Sequence, residues 1–485
     1  MIWRWPEAHP PDAPALRFEG RRIAYGALAR DAARAAAALA ARGIGRGDRV
    51  AFLGANHPAQ IVLLLACARL GAVQVPLNWR LAPPELRFIL GHSGATALLA
   101  TREMRPLAEA AAPEGCAVLD AEAPPPEGTP SEPRGREEDP LLLVYTSGTT
   151  GRPKGAVLDQ GAVAANARNA LALFGLTAAD RVLTVLPLFH VGGLNIQTTP
   201  ALMAGAEVVL HPRFDPAAVL RCLAEDRPTL SLLVPAAMRT LVEHPGWAGA
   251  DLSALRAVGA GSSDVPLPLI EAFHARGVPV QQVYGATETG PVAIGQTRDE
   301  ALAAPGSIGR PAALTEARIQ DAEGRPLPAP GAEGEIALRG PNLARDYWRD
   351  AAATAAAFRE GGWFLTGDVG RADAEGRFWF TDRLKHVVIS GGENVYPAEV
   401  ERVLLTAPGV REGAVCGRPD ARWGEVPVAV VVPGEGFDAA AVLRHFEGRL
   451  ARFKHPRDVM AVESLPRTAL GKVELARLRA IAAGG

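Results

Sequence analysis

A helix, a glycine stop and a short apolar strand recur near the start of this chain, and that alternation constrains the fold most. YGALARDAARAAAALAARGIGRGDRV (25–50) reads as an Ala-rich helix closed by Gly43, then a loop and a strand beginning near Arg49. IVLLLACARLGAVQVPL (61–77) follows the same scheme with Gly71 as the stop, and PPELRFILGHSGATALLA (83–100) follows it again. Helices alternating with short apolar strands bury their faces best on a mostly parallel sheet with helices on both sides. At 485 residues the chain exceeds one ordinary core, so two or more domains are expected.

The alternation returns over 181–284, with strands predicted at RVLTVLP, AEVVL, TLSLLVP, LRAVGAG and VPVQQVYG. Helices lie between them, such as DPAAVLRCLAED with Asp215 as N-cap. The Pro- and charge-rich stretch 122–140 reads as a loop or linker. From 306 to 381 the short strands EARIQ, GEIALRG and RFWFTD sit between glycine turns, which predicts a small β-rich subdomain. After DRLK (382–385) come a strand HVVIS, a helix PAEVERVLLTA, strands REGAVCG and VPVAVVVP, and a helix AAAVLRHFEGRLAR. These make an α+β unit of about 100 residues, enough for an independent domain. The expected organisation is an α/β domain over 1–381, a boundary at 382–385 and a small α+β domain over 386–485.

A net charge of −2 offers no basic footprint for nucleic acid or an anionic membrane. The apolar run IVLLLACA is far short of the roughly 20 residues that a membrane helix needs. MIWRWPEAHPPDAP lacks the apolar segment of a secretory signal. Cys67, Cys116, Cys222 and Cys416 lie outside metal-ligand spacing, and the histidines form no HExxH pattern, so no zinc site is expected. Buried thiols of this kind fit a reducing compartment, and the expected location is the cytoplasm, with no stable membrane insertion.

YTSGTTGRPKG (145–155) follows an apolar strand. Its glycines let backbone N–H groups approach a phosphate, its hydroxyls can donate to phosphate oxygens, and Lys154 adds a compact positive charge. It is not a Walker A loop, because Lys154 follows Pro153 and precedes Gly155. GAGSSD (259–264) lacks the third glycine of a dinucleotide fingerprint. Of 51 basic residues only Lys154, Lys385, Lys454 and Lys472 are lysine. A chain that writes arginine by default has kept an ammonium in four places.

The loop resembles the phosphate loop of the adenylate-forming superfamily, which holds acyl-CoA synthetases, luciferases and the adenylation domains of peptide synthetases. PLFHVGG (187–193), GAGSS (259–263), YGATETG (284–290), FLTGD (364–368), DRLKHVVISGGENVYPAEVE (382–401) and PRTALGKV (466–473) follow in that family's order. The resemblance implies an ATP site formed by Thr146, Ser147, Gly148, Thr149, Thr150, Gly151 and Lys154, together with Gly259, Ala260, Gly261 and Gly285. It places Tyr284 against adenine, Thr287 on the α-phosphate and Glu288 on Mg²⁺, a hard cation that prefers carboxylate. It gives Asp368 and Arg383 the ribose hydroxyls, and His190 a lining or gating role in the acyl pocket.

Lys472 matches the lysine that bridges the substrate carboxylate and the α-phosphate. A cation between two anions lowers the barrier to their approach, and an ammonium is slim enough to sit there. Lys385 matches the hinge, and Gly391 and Gly392 match the passage for the pantetheine arm of coenzyme A. Lys454 matches nothing and is expected at the surface.

The implied reaction is ATP-dependent acid–CoA ligation through an acyl-adenylate. VGGLNIQTTPAL resembles feruloyl-CoA and medium-chain acyl-CoA synthetases, so the acid is expected to be aryl, of hydroxycinnamate type, or a medium- or long-chain fatty acid. The alternative is an adenylation domain that loads a carrier protein. An amino-acid substrate is disfavoured because no acid stands beside FHVGG, and a malonate-type substrate because QQVYG carries no arginine. A silent nucleotide sensor is disfavoured because Lys472 and Glu288 are both present. A homodimer stays open.

Overall fold

The computed structural model describes all residues except 127–131, 147–152, 262–264, 266, 384–387, 396, 467–472 and 485; for 381–383, 394, 398 and 402 only the backbone is described. The chain forms two compact units. One comprises 1–79, 93–144 and 155–382, the other 80–92, 145–154 and 383–485.

The first unit is built around two largely parallel sheets. In one, the strands Val280–Tyr284, Ala257–Gly261, Leu230–Leu233, Arg181–Thr184, Glu207–Leu210 and Pro14–Phe18 run parallel as neighbours, with short antiparallel strands at both edges. In the other, Arg49–Leu53 lies between Val73–Leu77 and Ala97–Ala100, parallel to both. Residues on both faces of these strands are buried, which is why they read as unbroken apolar runs instead of alternating ones. The helices are bounded by the signals expected. Asp215 caps Pro216–Glu225 by accepting from the Ala218 N–H, and Gly71 ends Pro58–Leu70 in the left-handed conformation, φ 74°.

The β-rich region of the first unit is an antiparallel sheet holding Glu316–Gln320, Glu333–Arg339 and Trp363–Ala372. The stretch before Pro140 is a loop, but it is docked. The Arg134 and Gly135 N–H groups bond the Arg69 carbonyl, and buried Asp139 pairs with Arg46.

The sheet of the second unit shows why VPVAVVVP carries no polar position. On Gly424–Pro433, Ala429 and Val431 face a cluster with Val400, Leu404, Val442 and Phe446. Val428, Val430 and Val432 face another with Leu465, Leu478 and Ala482. Successive side chains point to opposite faces, so a strand covered by helices on both is apolar throughout. The helix predicted from AAAVLRHFEGRLAR is shorter than expected: it runs only over Ala439–His445, and Gly448, at φ 71°, lies beyond its end.

Candidate active site

The carboxyl ends of two adjacent parallel strands, Ala257–Gly261 and Val280–Tyr284, carry the GAG and YGATETG motifs. Ligand sites of open parallel sheets form at such ends. Gly259, Ala260 and Gly261 lie within the first strand and are buried. Tyr284 closes the second, and its hydroxyl donates to Asp368 Oδ2 at 2.8 Å. Residues 84 positions apart are thereby joined, and the sequence motifs YGATET and TGD become one place.

The turn after Tyr284 is held from several sides. A Cβ at Gly285 would stand 1.8 Å from the Pro291 carbonyl oxygen, so only glycine fits there. The Ala286 N–H donates to Thr289 Oγ1 at 2.8 Å, and Asn342 Nδ2 donates to the Thr289 carbonyl at 2.7 Å. Thr287, Glu288 and Thr289 form one 3₁₀ turn. Glu288 is 8% exposed, and its Oε1 accepts from the Tyr347 hydroxyl at 2.7 Å. Thr287 is half-buried and its hydroxyl makes no hydrogen bond among the described residues.

Asp368 is buried in the strand Trp363–Ala372, with Thr366 Oγ1 accepting from its N–H at 3.1 Å. His190 is half-buried. Its ring lies 4.5 Å from that of Phe189, and it precedes the turn Val191–Gly193. That turn leads into a π-helical turn, Leu194–Thr198, and then a helix, Thr199–Ala204.

The second unit holds the remaining candidates that are described. Thr146 ends the strand Pro140–Thr146 and Lys154 opens Lys154–Asp159, both half-buried. Gly391 and Gly392 have φ of 59° and 83° and form the two-residue turn between Val388–Ser390 and Glu393–Val395. Such hairpin turns demand positive φ, and a Cβ at Gly391 would stand 2.7 Å from the Trp423 ring. The local fold alone therefore requires Gly391. Glu393, next in the chain, pairs with Arg80. Ser147, Gly148, Thr149, Thr150, Gly151, Lys385, Lys472 and the Arg383 side chain lie outside the described residues.

Lys454 corrects the expectation of a surface lysine. It is 4% exposed, and its ammonium donates to Glu399 Oε1 at 2.7 Å and to Glu85 Oε1 at 2.9 Å, all within the second unit. Burial alone pushes the amine's pKa down, but the two carboxylates outweigh it and hold the pKa above 10.5. Sequence reasoning missed Tyr347 as well. It stands in ARDYW, and nothing local in that stretch marks it as a partner of Glu288.

The AMP-binding enzyme family matches residues 2–348, more than half of the chain, and its C-terminal domain matches 399–472. The chain belongs to the AMP-binding enzyme family. The family member is 47% identical to indoleacetate–CoA ligase of Aromatoleum aromaticum, a match covering 99% of this chain and 98% of the relative. It is 43% identical to feruloyl-CoA synthase of an Amycolatopsis species, covering 96% and 94%. Among solved structures, o-succinylbenzoate CoA synthetase from Bacillus subtilis, bound with a product analogue, aligns with a TM-score of 0.91 at 32% identity, covering 99% and 98%. This AMP-binding enzyme is an acid–thiol ligase that uses ATP and coenzyme A.

Proposed function

We propose that this ligase activates an aryl carboxylic acid as its acyl-adenylate and transfers the acyl group to coenzyme A. The 47% and 43% identical relatives are named for indoleacetate and ferulate, both aryl acids, and both are matched over nearly their whole length. The observation that carries the site is the pair of tyrosine-to-carboxylate hydrogen bonds, Tyr284 to Asp368 and Tyr347 to Glu288. In this reading Asp368 would receive the ribose hydroxyls and Glu288 a cation on the phosphates.

Mg²⁺ commonly takes one or two protein carboxylates and completes its shell with water and substrate phosphates. No group of three or more His, Cys, Asp or Glu poised for a metal exists among the described residues, and this mode of binding needs none. A single buried carboxylate, oriented by a neutral phenol, fits that requirement. The ion when bound would shield phosphate charge. Glu288 would hold it, Thr287 would donate to the α-phosphate, and Lys472 would draw the acid's carboxylate against that phosphorus.

The carboxylate oxygen attacks the α-phosphorus and pyrophosphate leaves. The thiol of coenzyme A then attacks the acyl carbon and AMP leaves. In this reading residues 382–385 are a hinge between domains 1–381 and 386–485, and the 390–394 turn receives the pantetheine arm. His190 lines the acyl pocket. Thr146, Lys154 and the loop between them hold the phosphates.

The enzyme would work in a reducing cytoplasm. Burial pushes the Cys222 thiol up to about 12 and the Cys416 thiol up to about 11, so both are poor nucleophiles there. No helix among the described residues is long and apolar enough to cross a membrane.

A thioester assay over aryl and alkyl acids tests the substrate class. Preference for alkyl over all aryl acids would overturn it. Lys472→Ala tests the mechanism. Acid-dependent pyrophosphate exchange should fall by about 10²–10³-fold, while thioester formation from supplied acyl-adenylate survives. Equal loss of both steps would contradict the assignment.

A further inference from the structure

Gln197 is the one buried amide, among the described residues, whose two ends both lack a hydrogen-bond partner. It is 2% exposed and sits in the π-helical turn Leu194–Thr198, a distortion that recurs at functional sites. Other buried amides of the chain are treated differently. Asn166 donates to the Asn195 carbonyl at 2.7 Å and accepts from the Val292 N–H at 2.7 Å. Asn195 donates to the Gly290 carbonyl and accepts from Thr199. Gln74, Gln160 and Gln281 each leave the acceptor unpaired, yet each donates to at least one carbonyl. Buried polar groups are hydrogen-bonded as a rule, and an exception calls for a cause.

The surroundings of Gln197 place that exception beside the proposed acyl site. A Cβ on Gly259 would stand 3.2 Å from Gln197 Nε2, 2.9 Å from Leu232 Cδ1 and 3.2 Å from Phe174 Cε1. The amide thus packs against the backbone of the GAG strand. It cannot bond to that strand, because Ala257–Gly261 is paired on both sides and its N–H and C=O groups are spent in the ladders. Its other neighbours there are apolar. Gly259 lies two residues below Gly261, roughly 7 Å along the strand, a depth suited to the far side of an aromatic ring whose carboxylate meets the nucleotide at the strand's end.

We propose that Gln197 selects the acid: its carboxamide accepts a hydrogen bond from a ring-borne donor on the substrate, a phenolic O–H or an indole-type N–H. This deepens the aryl-acid reading and rests on it. A phenol would satisfy both ends of the amide, since it also accepts; a ring N–H would satisfy the oxygen alone.

The experiment compares matched acids, 4-hydroxycinnamate with cinnamate and indole-3-acetate with benzothiophene-3-acetate, in the full-length wild type and in Gln197→Met. In at least one pair the wild type should favour the donor-bearing acid by about 10²-fold in kcat/KM, since a buried site left unpaired rejects the analogue. Gln197→Met should draw that ratio toward one, losing on the donor-bearing acid and gaining on its partner. Which pair responds tells hydroxyl from N–H. A wild type that discriminates neither pair, as a structural water on the amide would produce, overturns the proposal, and so does a ratio that survives the substitution. Silence on all four acids alongside turnover of alkyl acids sinks the aryl-acid reading instead. Ligand-free melting then still judges Gln197. Gln197→Met should melt about 1–3 °C higher, and a lower Tm would mean that the amide has a structural partner.

Discussion

Glu288 in the first unit and Glu399 in the second are buried to the same degree, at 8% and 7% exposure, yet their partners differ in kind. Glu288 accepts from a phenol, Tyr347, which orients the carboxylate without neutralising it. Glu399 accepts from the ammonium of Lys454, which it shares with Glu85. A buried carboxylate is costly unless paired, and the two are paired by different chemistry. In the proposed reaction the phenol leaves Glu288 to receive a cation that would arrive with substrate. An ammonium cancels the charge and fixes the backbone around it.

The largest expected effect tests the structural side of this contrast. Lys454→Met takes the shared ammonium from buried Glu399 and half-buried Glu85 and should destabilise the second unit by about 3–5 kcal/mol, read as a lower urea midpoint. Adding Glu399→Gln and Glu85→Gln should recover much of that. A single substitution that melts like wild type would show the cluster to be idle.

Next comes the functional side. Glu288→Gln keeps an acceptor for Tyr347 but loses the charge. Pyrophosphate exchange should drop by about 10²–10³-fold with the melting temperature nearly unchanged. If stability fell as far as activity, Glu288 would belong with Glu399.

Tyr347→Phe sharpens the comparison with a smaller change. Losing the phenol's hydrogen bond to the carboxylate should cost about 1–2 kcal/mol of positioning, or about 5-fold to 30-fold in the KM for Mg·ATP. Exchange at saturating Mg·ATP should change less, and an effect confined to saturating kcat would assign the phenol another role.

The mildest test is pH. The Lys454 pKa is raised above its unfolded 10.5, so its contribution to stability is full below about pH 10.5 and is lost as pH rises through the higher folded value. The wild type should show an alkaline decline in the urea midpoint that Lys454→Met lacks. A decline common to both would place its origin elsewhere.

How much of this was legible in the sequence varied with the range of the interaction. The strand RVLTVLP is observed at Arg181–Thr184, VPVQQVYG at Val280–Tyr284 and VPVAVVVP within Gly424–Pro433, because apolar runs between turns are local signals. The helix predicted over 439–452 stops at His445, seven residues short. Lys454 was misread because its two carboxylates come from 369 and 55 positions away. VGGLNIQTTPAL stands out by its resemblance to feruloyl-CoA and medium-chain acyl-CoA synthetases, and nothing local in it marks Gln197. An unpaired amide is visible only once every neighbour is known.

The sequence by itself determined the alternating α/β architecture, the order of the family's motifs and the residue types those motifs carry, since all three are written in short stretches of chain. Only the tertiary structure decided which carboxylate faces a phenol and which an ammonium, why Gly285 and Gly391 must be glycine, and that Gln197 is left without a partner. Those facts depend on atoms brought together across the chain, and hydrogen bonds, burial and steric exclusion act over a few ångströms of space however far apart the residues stand in sequence.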